Sequence, residues 1–277
     1  MLGMPAERPA ADFTIDQDWP AYAPDEHQRW RTLFRRQEAQ LVGRAATEFL
    51  AGLDILGTAG DGIPDFQRLN AILWPRTGWR VVAVPGLVPD AVFFAHLAAR
   101  RFPAARFIRP AERMDYIQEP DVFHDVFGHV PLLANPIFAD FMAAYGRQGL
   151  AALGRNRLDN LARLYWYTVE FGLIRTPQGL RIYGSGIVSS RAEVLYSLED
   201  PRPRRIAFDL ERVMRSRYRI DAFQETYFVI DDYRDLFAAL DRDLSAIYKR
   251  VAARPALAPG EACAEDRCIP LAAEARP

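Results

Sequence analysis

Lysine is almost missing from this chain: of 35 basic residues only Lys249 is one, and the rest are arginines. So uniform a preference reflects the base composition of the coding sequence more than selection at many sites, and no single arginine marks a function by its type alone. Cysteine is equally scarce. Cys263 and Cys268 share the stretch APGEACAEDRCIPLAAEARP; two thiols near one end build neither a disulfide framework nor a four-cysteine zinc site, and they read as reduced and exposed. No apolar run reaches about 18 residues, and the opening MLGMPAERPAADFTIDQ has neither the basic start nor the apolar stretch of a secretory leader, so a cytoplasmic location is expected. Acidic and basic residues nearly cancel to a net charge of -1. No overall field therefore points to a nucleic acid or an anionic membrane as partner.

Against these absences, 50% of the 277 residues are hydrophobic and 26% are charged, which excludes wholesale disorder, collagen and coiled-coil repeats. Residues 1–24 and 254–277 are rich in Pro, Asp and Ala without periodicity and are expected to be flexible arms. Residues 25–253 are expected to form one mainly α domain with minor short β-strands. Trp30, Leu33, Phe34, Gln37, Leu41, Ala45 and Phe49 follow a helical stripe from a cap near Asp25 towards Gly57. A second helix carries Phe66, Leu69, Ile72 and Leu73 and is expected to break at Pro75, with a strand over 79–84. Pro89 suits a first helical turn, and Val92, Phe93 and Leu97 continue that helix to Pro103. Asn135-Pro136 opens another through Tyr145. Leu158, Leu161, Tyr165, Thr168 and Gly172 share a stripe running to about Ile174. A hairpin is expected over 181–189 and a closing helix over 231–251.

Histidine is rare as well: His27, His96, His124 and His129 are the four. Two of them fall in PDVFHDVFGHV, residues 120–130. On a regular α-helix the five-residue step from His124 to His129 rotates about 500°, leaving the side chains roughly 140° apart. Pro131 disfavours helical geometry at Val130, so the helix is expected to end beside His129 and let that ring turn back. The zinc-protease arrangement is excluded, because it needs histidines four apart with Glu after the first, and here Asp125 follows His124.

Glu170 is the candidate third ligand. Its helical neighbours three and four residues away are Trp166, Tyr167, Leu173 and Ile174, and a carboxylate on such a face must be paired, protonated or bound to a metal. Two imidazoles and a carboxylate are the donor set of non-haem Fe(II) enzymes. The same residues also fit hydrogen-bonded core histidines with Glu170 paired to an arginine. A phosphohydrolase could use the pair His124-Asp125, but only His27 and His96 remain as further histidine ligands. A non-catalytic helical binding module is the third possibility.

Three separated stretches carry a resemblance. YIQEPDVFHDVFGHVPL (116–132), YWYTVEFGL (165–173) and YGSGIVSS (183–190), in this order, closely resemble the pterin-dependent aromatic amino acid hydroxylases, and more narrowly their bacterial members, over residues from about His27 to about Val251. The resemblance implies Fe(II) held by His124, His129 and Glu170, with a tetrahydropterin (tetrahydrobiopterin or a bacterial relative) and dioxygen as co-substrates. The reaction it implies is conversion of L-phenylalanine to L-tyrosine; tryptophan, or the meta carbon of phenylalanine, is the alternative target within the family. Arg109 matches the arginine that holds the amino acid's carboxylate, a task suited to two parallel charge-assisted hydrogen bonds. Trp166 and Phe171 match walls of the substrate-ring pocket, and Tyr116, Ile117, Gly186, Ser189 and Glu193 match further substrate-side positions. Of these, Ser189 and Glu193 correspond to residues that steady the first histidine and the arginine. Phe93 matches the aromatic that stacks on the pterin, Gly86, Leu87 and Val88 the loop along its edge, and Asp125 and Tyr165 further residues beside it. Ile117-Gln118 stands where the animal enzymes have Thr-Pro. Neither a regulatory domain nor a tetramerising heptad is recognisable, so a monomer without allosteric activation is expected.

Overall fold

The computed structural model describes residues 10–58, 61–115, 117–154 and 157–271. Helix α1 (Pro24–Leu41) buries the stripe Trp30, Leu33, Phe34, Gln37 and Leu41. It does not continue to Phe49. Gly43 adopts φ 71°, a left-handed geometry that ends a right-handed helix and that glycine takes without a Cβ penalty, and the chain restarts as α2 (Thr47–Leu56). Conversely, α3 (Phe66–Thr77) runs through Pro75 instead of breaking there. In the last turn the missing N–H costs one hydrogen bond, and Gly78 closes the helix by donating to the Trp74 carbonyl at 2.9 Å.

Strand β1 (Arg80–Val84) leads to α4 (Asp90–Ala98), which stops short of the expected Pro103. Arg100, at φ 55°, turns the chain into β2 (Arg101–Ala105), which pairs in parallel with β1 from Arg80↔Arg101 to Val84↔Ala105. Pro103 is tolerated inside β2 because a two-stranded sheet has only edge strands. This βαβ unit brings the loop after β1 and the segment after β2 to one edge, where the site lies.

Asn135 caps α5 (Pro136–Leu153) by accepting from the Ile137 and Phe138 amides. Helix α6 (Leu158–Tyr165) runs into a π-helical turn, and the stripe expected to be helical to Ile174 then becomes strand β3 (Leu173–Thr176), paired with β4 (Gly179–Ile182). The hairpin thus lies earlier than 181–189. Residues after β4 form the short helix α7 (Ser185–Val188), followed by α8 (Arg191–Glu199), β5 (Arg204–Ala207), α9 (Leu210–Arg215) and β6 (Thr226–Ile230). The second sheet has the order β4-β3-β6-β5, antiparallel only in the hairpin. The single helix expected over 231–251 is two, α10 (Tyr233–Leu240) and α11 (Leu244–Ala252), because the Asp243 carboxylate accepts from the Ser245 and Ala246 amides and starts a new helix.

Within the expected arms, the described residues 10–23 and 254–271 make specific contacts with the rest of the fold. Ile15 bridges Ala83, Asp12 pairs with Arg101 at 2.9 Å, and Trp19 Nε1 donates to the Ile63 carbonyl at 2.7 Å. At the other end Leu257 bridges Ser216, the Ile269 amide donates to the Arg205 carbonyl at 2.7 Å, and the buried Asp266 carboxylate joins Arg212 at 2.8 Å to Arg204 at 3.0 Å. A few specific anchors hold what low periodicity made look free. Residues 1–9 and 272–277 lie outside the described residues. Among the described residues no single helix is long and apolar enough to cross a membrane; the pair Phe123–Ala134 and Pro136–Leu153 has the composition but bends by 115°.

Candidate metal centre and ligand cleft

Phe123–His129 is a π-helical turn, not the end of an α-helix. Closure from i to i+5 brings residues five apart to one side of the helix, so His124 and His129 face one point; the π turn ends at His129, as expected, but Val130 keeps helical geometry (φ -65°, ψ -33°) and opens a 3-10 turn instead of leaving the helix. The turn is gripped from its apolar side: Phe123 and Phe127 stack at 4.8 Å and 11°, and the rings of Trp30, Phe34 and Phe49 meet them edge-on. Asp121 opens the turn by accepting from the His124 amide at 3.0 Å. Glu170 ends a second π-helical turn, Trp166–Glu170, in which the Phe171 amide donates to the Trp166 carbonyl at 2.9 Å.

His129 Nε2 lies 3.2 Å from Glu170 Oε1 and 3.2 Å from His124 Nε2, and His124 Nε2 lies 3.6 Å from Glu170 Oε2. Adjacent donors of an octahedral ion with bonds of about 2.1 Å are separated by about 3 Å, so one divalent ion fits between these atoms. The protonation states of His124 and Glu170 fit too. Burial pushes the His124 imidazolium down to about 4, more than the nearby Glu170 charge lifts it, and the ring is neutral at pH 7. Burial would raise Glu170, but the two imidazoles and hydrogen bonds from His129 and Ser185 hold its carboxyl at about 2. Ser189 fixes the His124 tautomer: its hydroxyl donates to the Ser185 carbonyl at 2.7 Å and so accepts from His124 Nδ1 at 3.0 Å, which leaves the Nε2 lone pair free. Ser185 Oγ donates to Glu170 Oε2 at 2.8 Å.

The three donors lie in a cleft of about 230 Å³ that is also lined by Gly86, Leu87, Val88, Phe93, Asp125 and Tyr165. All six residues expected beside the pterin are therefore brought together with the triad. Tyr165 bridges the two sides, its ring 5.7 Å from Phe93 and 6.1 Å from His129. The Asp125 carboxyl is pushed up to about 7 by burial, although it accepts from the Ala105 amide at 2.8 Å.

Arg109 is no surface arginine. Its Nε and Nη2 donate to the two oxygens of Asp121 at 2.8 Å, its amide donates to the same carboxylate, and Asp121 is 0% exposed. Nη1 has no partner among the described residues. Burial acts to raise the Asp121 carboxyl, but the guanidinium and the two amides hold it below the ordinary range. Glu193, expected to steady the arginine, instead accepts from Tyr227 Oη at 2.7 Å and the Gln224 amide at 3.3 Å; burial pushes its carboxyl up to about 7. Trp166 and Phe171 pack at 4.8 Å, and a Cβ on Gly186 would come within 2.9 Å of Phe171 and 3.2 Å of Glu170 Oε2. The ring pair thus borders the metal carboxylate. Ile117 is half-buried, and Tyr116 lies outside the described residues.

Sequence reasoning missed Asp121, Ser185 and Gln224. Asp121 carries a local signal as a cap-type residue three before His124, and Ser185 lies within the stretch YGSGIVSS; nothing local marks Gln224. The remaining histidines serve elsewhere: His27 Nδ1 accepts from the Ile63 amide and His96 Nε2 meets the Asp12 carbonyl. That removes the further histidine ligands open to a phosphohydrolase built on His124-Asp125.

Two imidazoles and one carboxylate converging under an aromatic-walled cleft define a mononuclear non-haem metal centre suited to Fe(II). The chain belongs to the family described as biopterin-dependent aromatic amino acid hydroxylase, which it matches over residues 7–254. It is 62% identical over 248 residues to the phenylalanine-4-hydroxylase of Caulobacter vibrioides (90% of this chain, 84% of that one) and 56% identical over 259 residues to that of Ralstonia nicotianae (94% and 83%). The crystal structure of iron- and phenylalanine-bound phenylalanine hydroxylase from Chromobacterium violaceum superposes with a TM-score of 0.90 at 51% identity, covering 94% of this chain and 95% of that one.

Proposed function

We propose that this chain is a phenylalanine 4-monooxygenase that converts L-phenylalanine to L-tyrosine with Fe(II), a tetrahydropterin and dioxygen, acting in the cytoplasm as a monomer. The observation that carries the reading is the meeting of His124, His129 and Glu170 in one cleft with the Gly86–Val88 loop and Phe93. The phenylalanine-4-hydroxylases of similar sequence support the choice of substrate. When bound, Fe(II) and the reduced pterin supply the activation of dioxygen.

The protein's share is binding, orientation and exclusion of water. His124, neutral and held by Ser189, and Glu170, ionised and held by Ser185, present lone pairs to the metal without a proton having to leave first. Asp121 aims the Arg109 guanidinium, whose remaining donors take the amino acid's carboxylate. That grip and the Trp166–Phe171 wall place the substrate ring beside the metal, where orientation lowers the barrier. Phe93 offers a face for the pterin, and its stacking contributes on the order of 1 kcal/mol. The deciding experiment is product analysis with phenylalanine and a synthetic tetrahydropterin, alongside iron content, for the parent and Glu170→Ala. Tyrosine from the parent, with iron and tyrosine both lost in the variant, is expected; unchanged iron and tyrosine in the variant would end the reading. Light scattering should give the 31.4 kDa of one chain.

A further inference from the structure

One buried polar network has no task in that scheme. Gln224, 3% exposed, sits in the loop between α9 and β6. Its amide can point only one way: Oε1 accepts from Trp166 Nε1 at 2.9 Å, while Nε2 donates to the carbonyls of Arg219 at 3.0 Å and Ala222 at 3.3 Å. Its backbone N–H donates to Glu193 Oε1, the oxygen that also accepts from Tyr227. The same loop is fastened to the Trp166–Glu170 turn twice more. Tyr167 Oη donates to the Arg217 carbonyl at 2.7 Å, and the Tyr218 ring stacks on the Trp166 indole at 4.3 Å and 13°.

These contacts divide the work. Stacking sets the plane of the indole but lets it slide and rotate within that plane; the directional bond from Nε1 to Gln224 removes that freedom. Trp166 in turn leans on Phe171, and both Phe171 and the Glu170 carboxylate crowd Gly186. A rotation of the indole is therefore passed on beside the metal ligand.

We propose that Gln224 is a positioning residue that sets the rotation of Trp166 and, through it, the width of the slot that receives the substrate's aromatic ring. The inference rests on the hydroxylase reading of the site, and it makes Gln224 a determinant of which aromatic amino acid is accepted.

Gln224→Leu keeps the volume and removes the acceptor; Gln224→Asn keeps the amide but is too short to reach. Both are compared with the parent in the full-length, iron-loaded protein for iron content, melting temperature, KM and kcat with phenylalanine and with tryptophan, and equilibrium binding of both amino acids by calorimetry. The expected result for each variant is full iron content, a KM for phenylalanine raised about tenfold with a smaller change in kcat, and a tryptophan-to-phenylalanine preference shifted at least about threefold. In a Trp166→Phe background, which lacks the indole donor, Gln224→Leu should change binding by less than about twofold. Values within about twofold of the parent for both variants, or an undiminished effect of Gln224→Leu in the Trp166→Phe background, overturn the proposal. Calorimetry separates it from the reaction assignment: a parent that binds aromatic amino acids in a Gln224-dependent way yet forms no tyrosine refutes the assigned reaction and upholds the positioning role.

Discussion

Ser189 shows how much of a metal centre is carried by side chains that never touch the metal. Its hydroxyl is committed as a donor to the Ser185 carbonyl, so it can only accept from His124 Nδ1. Ser189→Ala leaves the imidazole free to choose its tautomer and rotate. Iron affinity should fall about tenfold or more, read by titrating the apoprotein with Fe(II) under anaerobic conditions. Glu193 makes a statement about pH. Burial raises its carboxyl from the ordinary 4.5 to about 7, so the folded protein keeps a proton that the unfolded chain has released. The stability from that proton is complete below about pH 4.5 and is lost as the pH rises through 7. Glu193→Gln, which mimics the protonated form, should match the parent's melting temperature near pH 5 and exceed it near pH 7.5.

The two π-helical turns are the local structures on which the centre depends, and each is braced by close backbone packing. Gly184 is an example. Its φ of -68° is open to any residue, but an added Cβ would run into the Glu170 carbonyl and the Gly172 nitrogen. Because both obstacles are backbone, the second π turn itself would have to shift. Gly184→Ala is expected to destabilise the fold by about 3 kcal/mol and to lower iron content along with it, measured by denaturant unfolding and metal analysis. A packing defect remote from the ligands would lower the first and spare the second.

At the scale of the molecule, the described residues beyond α11 pack back onto the fold. The segment after α11 returns to β5 and α9, where the Asp266 carboxylate, with a side chain 1% exposed, joins Arg212 and Arg204. Removing one partner of a buried ion pair strands the other charge. Asp266→Ala should therefore cost about 3 kcal/mol of stability in a denaturant melt, while KM for phenylalanine stays within about twofold because the triad is not touched. A tail as loose as its composition implies would make that substitution silent.

Reading along the chain reached the donor set and the helical majority. His124, His129 and Glu170 stand out because the chemistry of rare histidines and of a carboxylate among aromatics does not depend on where the backbone turns, and the stripe of α1 is a period that burial enforces locally. Strand β2, the break at Gly43 and the shift of the hairpin to β3–β4 were hidden because short apolar runs satisfy helix and strand alike until a partner strand is present. The H-x4-H spacing posed a question that an α-helix could not answer; the π turn answered it, and that turn exists because buried rings on one side and Asp121 at its start hold it open. Asp121 against Arg109, and Gln224 against Trp166 from 58 residues away, are pairings of long range, set by which surfaces meet once the core has closed, and no local pattern encodes them.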